Sequence, residues 1–342
     1  MTMNRLSINA SQVQSMQYAP SFLVSALMGA AMLMTYTRLL GATNYGSLVI
    51  TLSTITITNE IFGEWLAHSV LRFYSESRIT NNVAALKGTI AAILPINIVC
   101  ASAFVALLLA TAHSACFIGI AIACITPAIL CRVWLATTRA RMQVIRYTSV
   151  TVSGSVCSYS CGAVLCLFWR DPVWILVGQL LGVLLQLCLL AFFERSLLRR
   201  GLSLLFYRPP VLTGAVLRFG LPIALTAVGS QALQLMDRYI LALFRSKAEV
   251  GLYAASYGVG DKMIALMFAP IMFAFHPLII NAWSHRDDQG VVRKMHEATR
   301  AFVILGIPCI IGMAFIGRQL MTAFIGESFA AAHSLVPVVG AG

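Results

Sequence analysis

Charge is scarce in this chain: Asp, Glu, Lys and Arg make up 11% of its 342 residues, against roughly 25% in an ordinary globular domain. A soluble protein of this length splits into two domains whose outer faces need a charged coat, and 24 Lys and Arg with 12 Asp and Glu cannot supply one. Soluble enzymes are thereby excluded. A G-x-x-x-x-G-K-[ST] loop is also missing, so the chain carries no nucleotide-phosphate cradle of its own. The segments between apolar runs are short. They leave no room for a soluble catalytic domain, nor for the sizeable outer loop, rich in acids or arginines, that a membrane glycosyltransferase or polymerase needs. The nine cysteines (100, 116, 124, 131, 157, 161, 166, 188 and 309) lie inside apolar runs, are odd in number and form no C-x-x-C pair. They read as small buried hydrophobes, not disulfides or metal ligands. His113 and Cys116 have a loose ligand spacing without partners nearby, so neither a metal nor a cofactor is expected. Only Arg5 precedes the first apolar run, and no small-residue cleavage site follows it; the run reads as a retained helix, not a signal peptide.

What is present is apolar sequence, 59% of the chain, with uncharged stretches such as Ser21 to Thr37, Thr89 to Ala112 and Val173 to Phe193. About 20 residues cross a hydrocarbon core of about 30 Å. Hydropathy marks nine complete spans, near 17–39, 47–71, 88–110, 115–137, 148–169, 173–193, 219–243, 251–281 and 299–317. A tenth apolar run, Ser334 to Gly342, is too short to span. The fold expected is all-α and polytopic, with nine complete transmembrane helices and a truncated tenth. The net charge of +12 would suggest nucleic acid in a soluble protein; here it is a loop bias, and no nucleic-acid partner is expected. One set of alternate loops is flanked by 16 Lys and Arg and the other by 5, with Arg132, Arg238 and Lys262 left inside the spans. The positive-inside rule puts the 16-charge loops and the N-terminus in the cytoplasm.

The chain also repeats itself. Span 1 runs into RLLGATNYGSLV (Arg38 to Val49) and span 7 into LFRSKAEVGLYA (Leu243 to Ala254), each a short outer turn closing on a glycine, so that Gly46 corresponds to Gly251. Span 3 carries Pro95 in AILPINI and span 9 carries Pro308 in LGIPCII. Spans 1–3 thus resemble spans 7–9 in the same orientation, which implies two parallel six-helix bundles: residues 1–193, a basic linker over 194–218 with Pro209-Pro210, and an incomplete second bundle over 219–342. Parallel halves around a central cavity are a transporter plan, with substrate held between the halves.

On these same residues the sequence resembles the O-antigen and polysaccharide flippases of the multidrug/oligosaccharidyl-lipid/polysaccharide exporter superfamily. The matching pieces are RLLGATNYGSL, GEWLAHSVLRFY (Gly63 to Tyr74), LRFGLPIAL from Leu217, MDRYILALF from Met236 and VGLYAASYGV from Val250. They continue with HPLII from His276, RAFVILGIPCIIGM from Arg300 and FIGESFAAAHSLVPV from Phe324. The resemblance implies translocation of an undecaprenyl-pyrophosphate-linked oligosaccharide across the bacterial inner membrane by alternating access. Its implied partners are that lipid-linked oligosaccharide, membrane lipids, and polysaccharide polymerase and chain-length proteins. A cation-coupled multidrug exporter of the same fold and a truncated, non-transporting chain are the alternatives.

Ionisable side chains at membrane depth are costly and therefore functional candidates. Glu60 and Glu64 stand four apart on one helical face with His68 four further on, a polar stripe that faces a cavity and not lipid. Two neighbouring carboxylates suit a proton or cation site; the structural alternative pairs them with Arg132. Arg132 offers planar bidentate donors to pyrophosphate, or snorkels to the headgroups. Asp237-Arg238 and Asp261-Lys262 are adjacent pairs whose members point apart, so each is expected to bond across helices and not within itself. With the resemblance, Arg132, Lys262, Arg38 and Arg72 become the candidate substrate-binding residues, and Glu60, Glu64 and Asp261 the candidate ion-coupling residues. Gly178-x-x-x-Gly182 reads as a close helix contact, and prolines 20, 95, 127, 222, 270, 277 and 308 as bends.

Overall fold

The computed structural model describes the backbone of residues 3–80, 82–110, 115–193 and 212–341. The linker over 194–211 with its four arginines, and His113, lie outside these residues, as do the side chains of Arg5, Pro20, Pro270 and Pro277. All regular structure among the described residues is helical. The elements are α1 Met3–Asn59, a π-turn Glu60–Glu64, α2 Trp65–Ile79, α3 Val83–Leu109, α4 Ala115–Ala140, α5 Val144–Trp169 and α6 Pro172–Phe193. After these come α7 Thr213–Phe244, α8 Lys247–Ser284, α9 Asp288–Phe324, a 3₁₀ turn Glu327–Ala332 and α10 Leu335–Ala341. Six of these helices, α3 to α7 and α9, are long and apolar enough to cross a membrane.

The helices follow the apolar runs. The short outer turn between spans 1 and 2 is a single residue: α1 carries span 1 and the first part of span 2 and is broken at Gly41, whose φ of 70° and ψ of 173° turn the chain. A side chain is strained at that φ, so glycine makes the turn possible. Prolines 95, 127, 222 and 308 sit inside α3, α4, α7 and α9.

The chain packs as two compact units, 1–32 with 47–245, and 33–46 with 246–342. These follow packing and not the repeat, so α7 lies with the first unit although it opens the second half of the sequence. The reason is visible along α7. A Cβ on Gly220 would run into the Trp65 ring of α2, the Arg72 guanidinium lies 4.4 Å from the centroid of Phe219, and Tyr239 Oη is 2.7 Å from Thr54 Oγ1 of α1.

Apolar burial alone cannot hold such helices together, because lipid is as apolar as leucine; close packing of small residues does. In the first unit α5 and α6 form the tightest pair. Gly178 lies against the backbone of Gly162 and Gly182 against Ser158 and Gly154, so the G-x-x-x-G of α6 meets a small-residue ladder, Gly154, Ser158 and Gly162, on α5. A larger cluster of Trp65, Leu66, Val70, Tyr74, Leu86, Ile90, Val133 and Val216 joins α2, α3, α4 and α7. Of the nine cysteines only Cys124, Cys131 and Cys166 are buried, while Cys100, Cys116 and Cys188 are exposed; an apolar run in a bilayer has a lipid side as well as a core side, and a thiol suits both. Cys124 and Cys131 direct their thiols at the Leu176 and Val183 carbonyls of α6.

In the second unit Gly46 and Gly251 meet. A Cβ on Gly46 would overlap the Lys247 carbonyl, and one on Gly251 would overlap the Ala42 carbonyl. Each glycine thus receives the carbonyl of the residue four before its counterpart, a contact unchanged when the two segments are exchanged.

Candidate functional site

The first unit holds a cavity of about 590 Å³ lined from α1, the π-turn, α2, α4, α5 and α6. Its charged wall is built on the π-turn. A π-turn winds one residue wider than α-helix, is rare, and is frequent at functional sites; this one places Glu60 at its start and Glu64 at its end. The Phe62 carbonyl inside it accepts a hydrogen bond of 2.6 Å from Asn97 Nδ2 of α3, and Asn97 is itself buried.

Arg132 of α4 reaches across to both carboxylates. Its Nη2 donates to Glu60 Oε1 at 2.7 Å and its Nη1 to Glu64 Oε2 at 2.5 Å. The arginine stem passes over Gly63, where a Cβ would come within 3.1 Å of Arg132 Cδ and 2.8 Å of Asn59 Oδ1. The glycine between the glutamates is therefore the saddle across which the arginine lies. Glu64 Oε1 in turn contacts His68 Nε2 at 3.1 Å. The result is a row, Glu60, Arg132, Glu64, His68, with two negative charges and one fixed positive charge, each of the three charged side chains a little over a quarter exposed. Asn59 Oδ1 lies buried beside this row without a hydrogen-bond partner among the described residues. The rest of the lining mixes uncharged polar groups of α5 and α6, among them Thr151, Ser155, Gln179 and Gln186, with apolar side chains such as Met28, Met32, Ile55 and Leu135, and with Arg139 of α4.

Of the seven residues singled out in the sequence, Glu60, Glu64 and Arg132 come together here. The others stand elsewhere. Arg72 is stacked over Phe219 and near Phe73, a tie between α2 and α7. Arg38, in the second unit, donates to the Ala323 carbonyl, one of the last in α9, where a cation complements the helix end. Lys262 and Asp261, also in the second unit, bond to each other at 3.0 Å and are 41% and 50% exposed. Sequence reasoning expected adjacent residues to point apart. On an exposed face the flexible lysine instead curls back to its neighbour. Arg238 does reach across helices, its Nη1 donating to Ser53 Oγ at 3.2 Å, while its own backbone N–H donates to Asp237 Oδ1. The π-turn, the Gly63 saddle and Asn97 escaped the sequence reading. Nothing local marks a π-turn, but the glycine three residues after Glu60 and one before Glu64 was a usable signal.

Solved structures show what this architecture is. The chain superposes on the lipid II flippase MurJ in an inward closed conformation with a TM-score of 0.70 at 14% identity, over 94% of this chain and 73% of that one. It superposes on an inward-facing multidrug resistance MATE family transporter of the MOP superfamily with a TM-score of 0.64 at 13% identity, over 94% and 75%. At such identities the shared property is the fold alone, and with six helices long and apolar enough to cross a membrane among the described residues the chain is a multi-pass membrane protein. The sequence model of the polysaccharide biosynthesis protein family matches residues 35–334, and the chain belongs to that family. No curated protein sequence matches closely enough to carry an argument.

Proposed function

We propose that the chain is a flippase that moves an undecaprenyl-pyrophosphate-linked oligosaccharide from the cytoplasmic to the periplasmic leaflet of the bacterial inner membrane by alternating access, with its N-terminus in the cytoplasm. Membership of a polysaccharide biosynthesis family, in a chain with a transporter fold and no nucleotide-binding loop, is the observation that carries this reading. Polysaccharide polymerase and chain-length proteins are its partners in that role.

The row Glu60, Arg132, Glu64, His68 is suited to ion coupling. With one cation against two carboxylates it carries one uncompensated negative charge, which a proton or a small cation balances. A proton on Glu60 or Glu64 also releases one arm of Arg132. Complementation of a flippase-deficient strain tests this. Glu60→Gln and Glu64→Gln keep shape and hydrogen bonding but remove titration, so transport of the repeat unit should fall at least tenfold while the protein stays in the membrane at normal level. Variants that transport fully, singly and together, would remove the row from the coupling mechanism. Loss of abundance in step with activity would make it structural. The acidic excess in the row Glu60, Arg132, Glu64 favours one second reading, a cation-coupled drug exporter; drug resistance conferred on a sensitive strain, without complementation, would establish that instead.

A further inference from the structure

Two arginines on one face of α4 line the same cavity, Arg132 and Arg139. Seven residues apart, they are two helical turns, about 10 Å, from each other. Their electrostatic situations differ. Arg132 is held by two carboxylates, so its end of the cavity has a net negative charge and repels an anion. No acidic side chain among the described residues pairs with Arg139, whose guanidinium lies instead 5.8 Å from the ring centroid of Tyr147. It is exposed.

The same pattern is repeated around the α4–α5 turn. Arg141 lies 5.6 Å from the ring centroid of Tyr74, with its Nε donating to the Tyr74 hydroxyl at 2.8 Å. Arg146 lies 5.9 Å from the ring centroid of Phe193 and donates to Gln143 Oε1. Three guanidinium groups are thus set on aromatic faces. At Arg139 such a ring orients the planar group and lowers its conformational freedom without consuming its N–H edge, which suits a bidentate oxyanion, whereas Arg141 and Arg146 each already spend an N–H on Tyr74 and Gln143. A guanidinium kept only for topology needs no such support, since it can extend into water.

We propose that this turn is a phosphate-binding collar at the mouth of the cavity, with Arg139 as its cavity-lining contact and Arg146 beside it, and that it captures the phosphate oxygens of a lipid before the lipid passes inward. The proposal rests on the flippase reading for the identity of that lipid as a polyprenyl pyrophosphate. The phosphate chemistry itself would equally take a bulk anionic headgroup, so the experiment separates the two sources.

The full chain is placed in nanodiscs of phosphatidylcholine, and binding of undecaprenyl pyrophosphate, undecaprenol and phosphatidylglycerol is measured by native mass spectrometry. Wild type, Arg139→Gln, Arg139→Lys and the outer-loop control Arg170→Gln are compared, each checked for thermal stability. The expected result is undecaprenyl pyrophosphate binding that falls about tenfold in Arg139→Gln, the loss of one charge-assisted bidentate contact, is partly restored in Arg139→Lys and is unchanged in Arg170→Gln, with undecaprenol not retained. If wild type retains phosphatidylglycerol but not the pyrophosphate, and Arg139→Gln loses it, the collar stands with a bulk lipid as ligand and the flippase reading fails. Equal binding by wild type and a stably folded Arg139→Gln, for either phospholipid, overturns the collar and leaves the flippase reading untouched.

Discussion

At the residue scale the cavity depends on what Gly63 lacks. A single methyl there falls 3.1 Å from Arg132 Cδ and 2.8 Å from Asn59 Oδ1, closer than ordinary carbon contacts, and the arginine cannot yield without lengthening its bonds to Glu60 or Glu64. Gly63→Ala is therefore expected to cost about 1–3 kcal/mol, the range for overpacking a filled site, read as a lower thermal midpoint in detergent. Removing the arginine's bond partners first should relieve this: in a Glu60→Gln, Glu64→Gln background the same alanine should cost less. An additive result would mean that Gly63 serves helix packing and not the seating of Arg132. How much of this was legible beforehand differs from residue to residue. The spacing of Glu60, Glu64 and His68 announced a polar face, and Arg132 was an evident counter-charge because intramembrane cations are few. Asp261 and Lys262 were read with the same logic and differ, because hydropathy cannot tell a core-facing charge from one on an exposed helix side.

At the element scale the π-turn is the feature with no counterpart in sequence. Apolar runs locate helices well, since each must hide about 20 residues from water, but an extra residue within a turn changes neither length nor hydropathy. The short outer turn between spans 1 and 2 was legible in the sequence, but that one residue, Gly41, makes it is a matter of φ and ψ, which hydropathy does not carry. The π-turn is held from outside by Asn97, whose amide satisfies the Phe62 carbonyl. Asn97→Leu keeps the volume and leaves that carbonyl without its partner, which costs about 1–3 kcal/mol for a buried group. The expected outcome is faster hydrogen exchange confined to residues 60–67, with α4 to α6 unaffected. Uniform destabilisation of the first unit would mean that the π-turn does not open by itself.

At the scale of the whole molecule the charge asymmetry predicts sidedness. Gln289 is exposed beside the start of α9, whereas the adjoining Gly290 is buried and donates its N–H to Asp287, so position 289 is the better probe. In a cysteine-free background, Gln289→Cys should react with an impermeant thiol reagent only from the cytoplasm and Lys247→Cys only from the periplasm. The reverse pattern would invert every assignment of side. The contact between Gly46 and Gly251 is reciprocal: a Cβ on either glycine would meet the backbone nitrogen of the other at 3.0 Å. The two segments therefore fail together, since a side chain added on one side displaces the backbone on both.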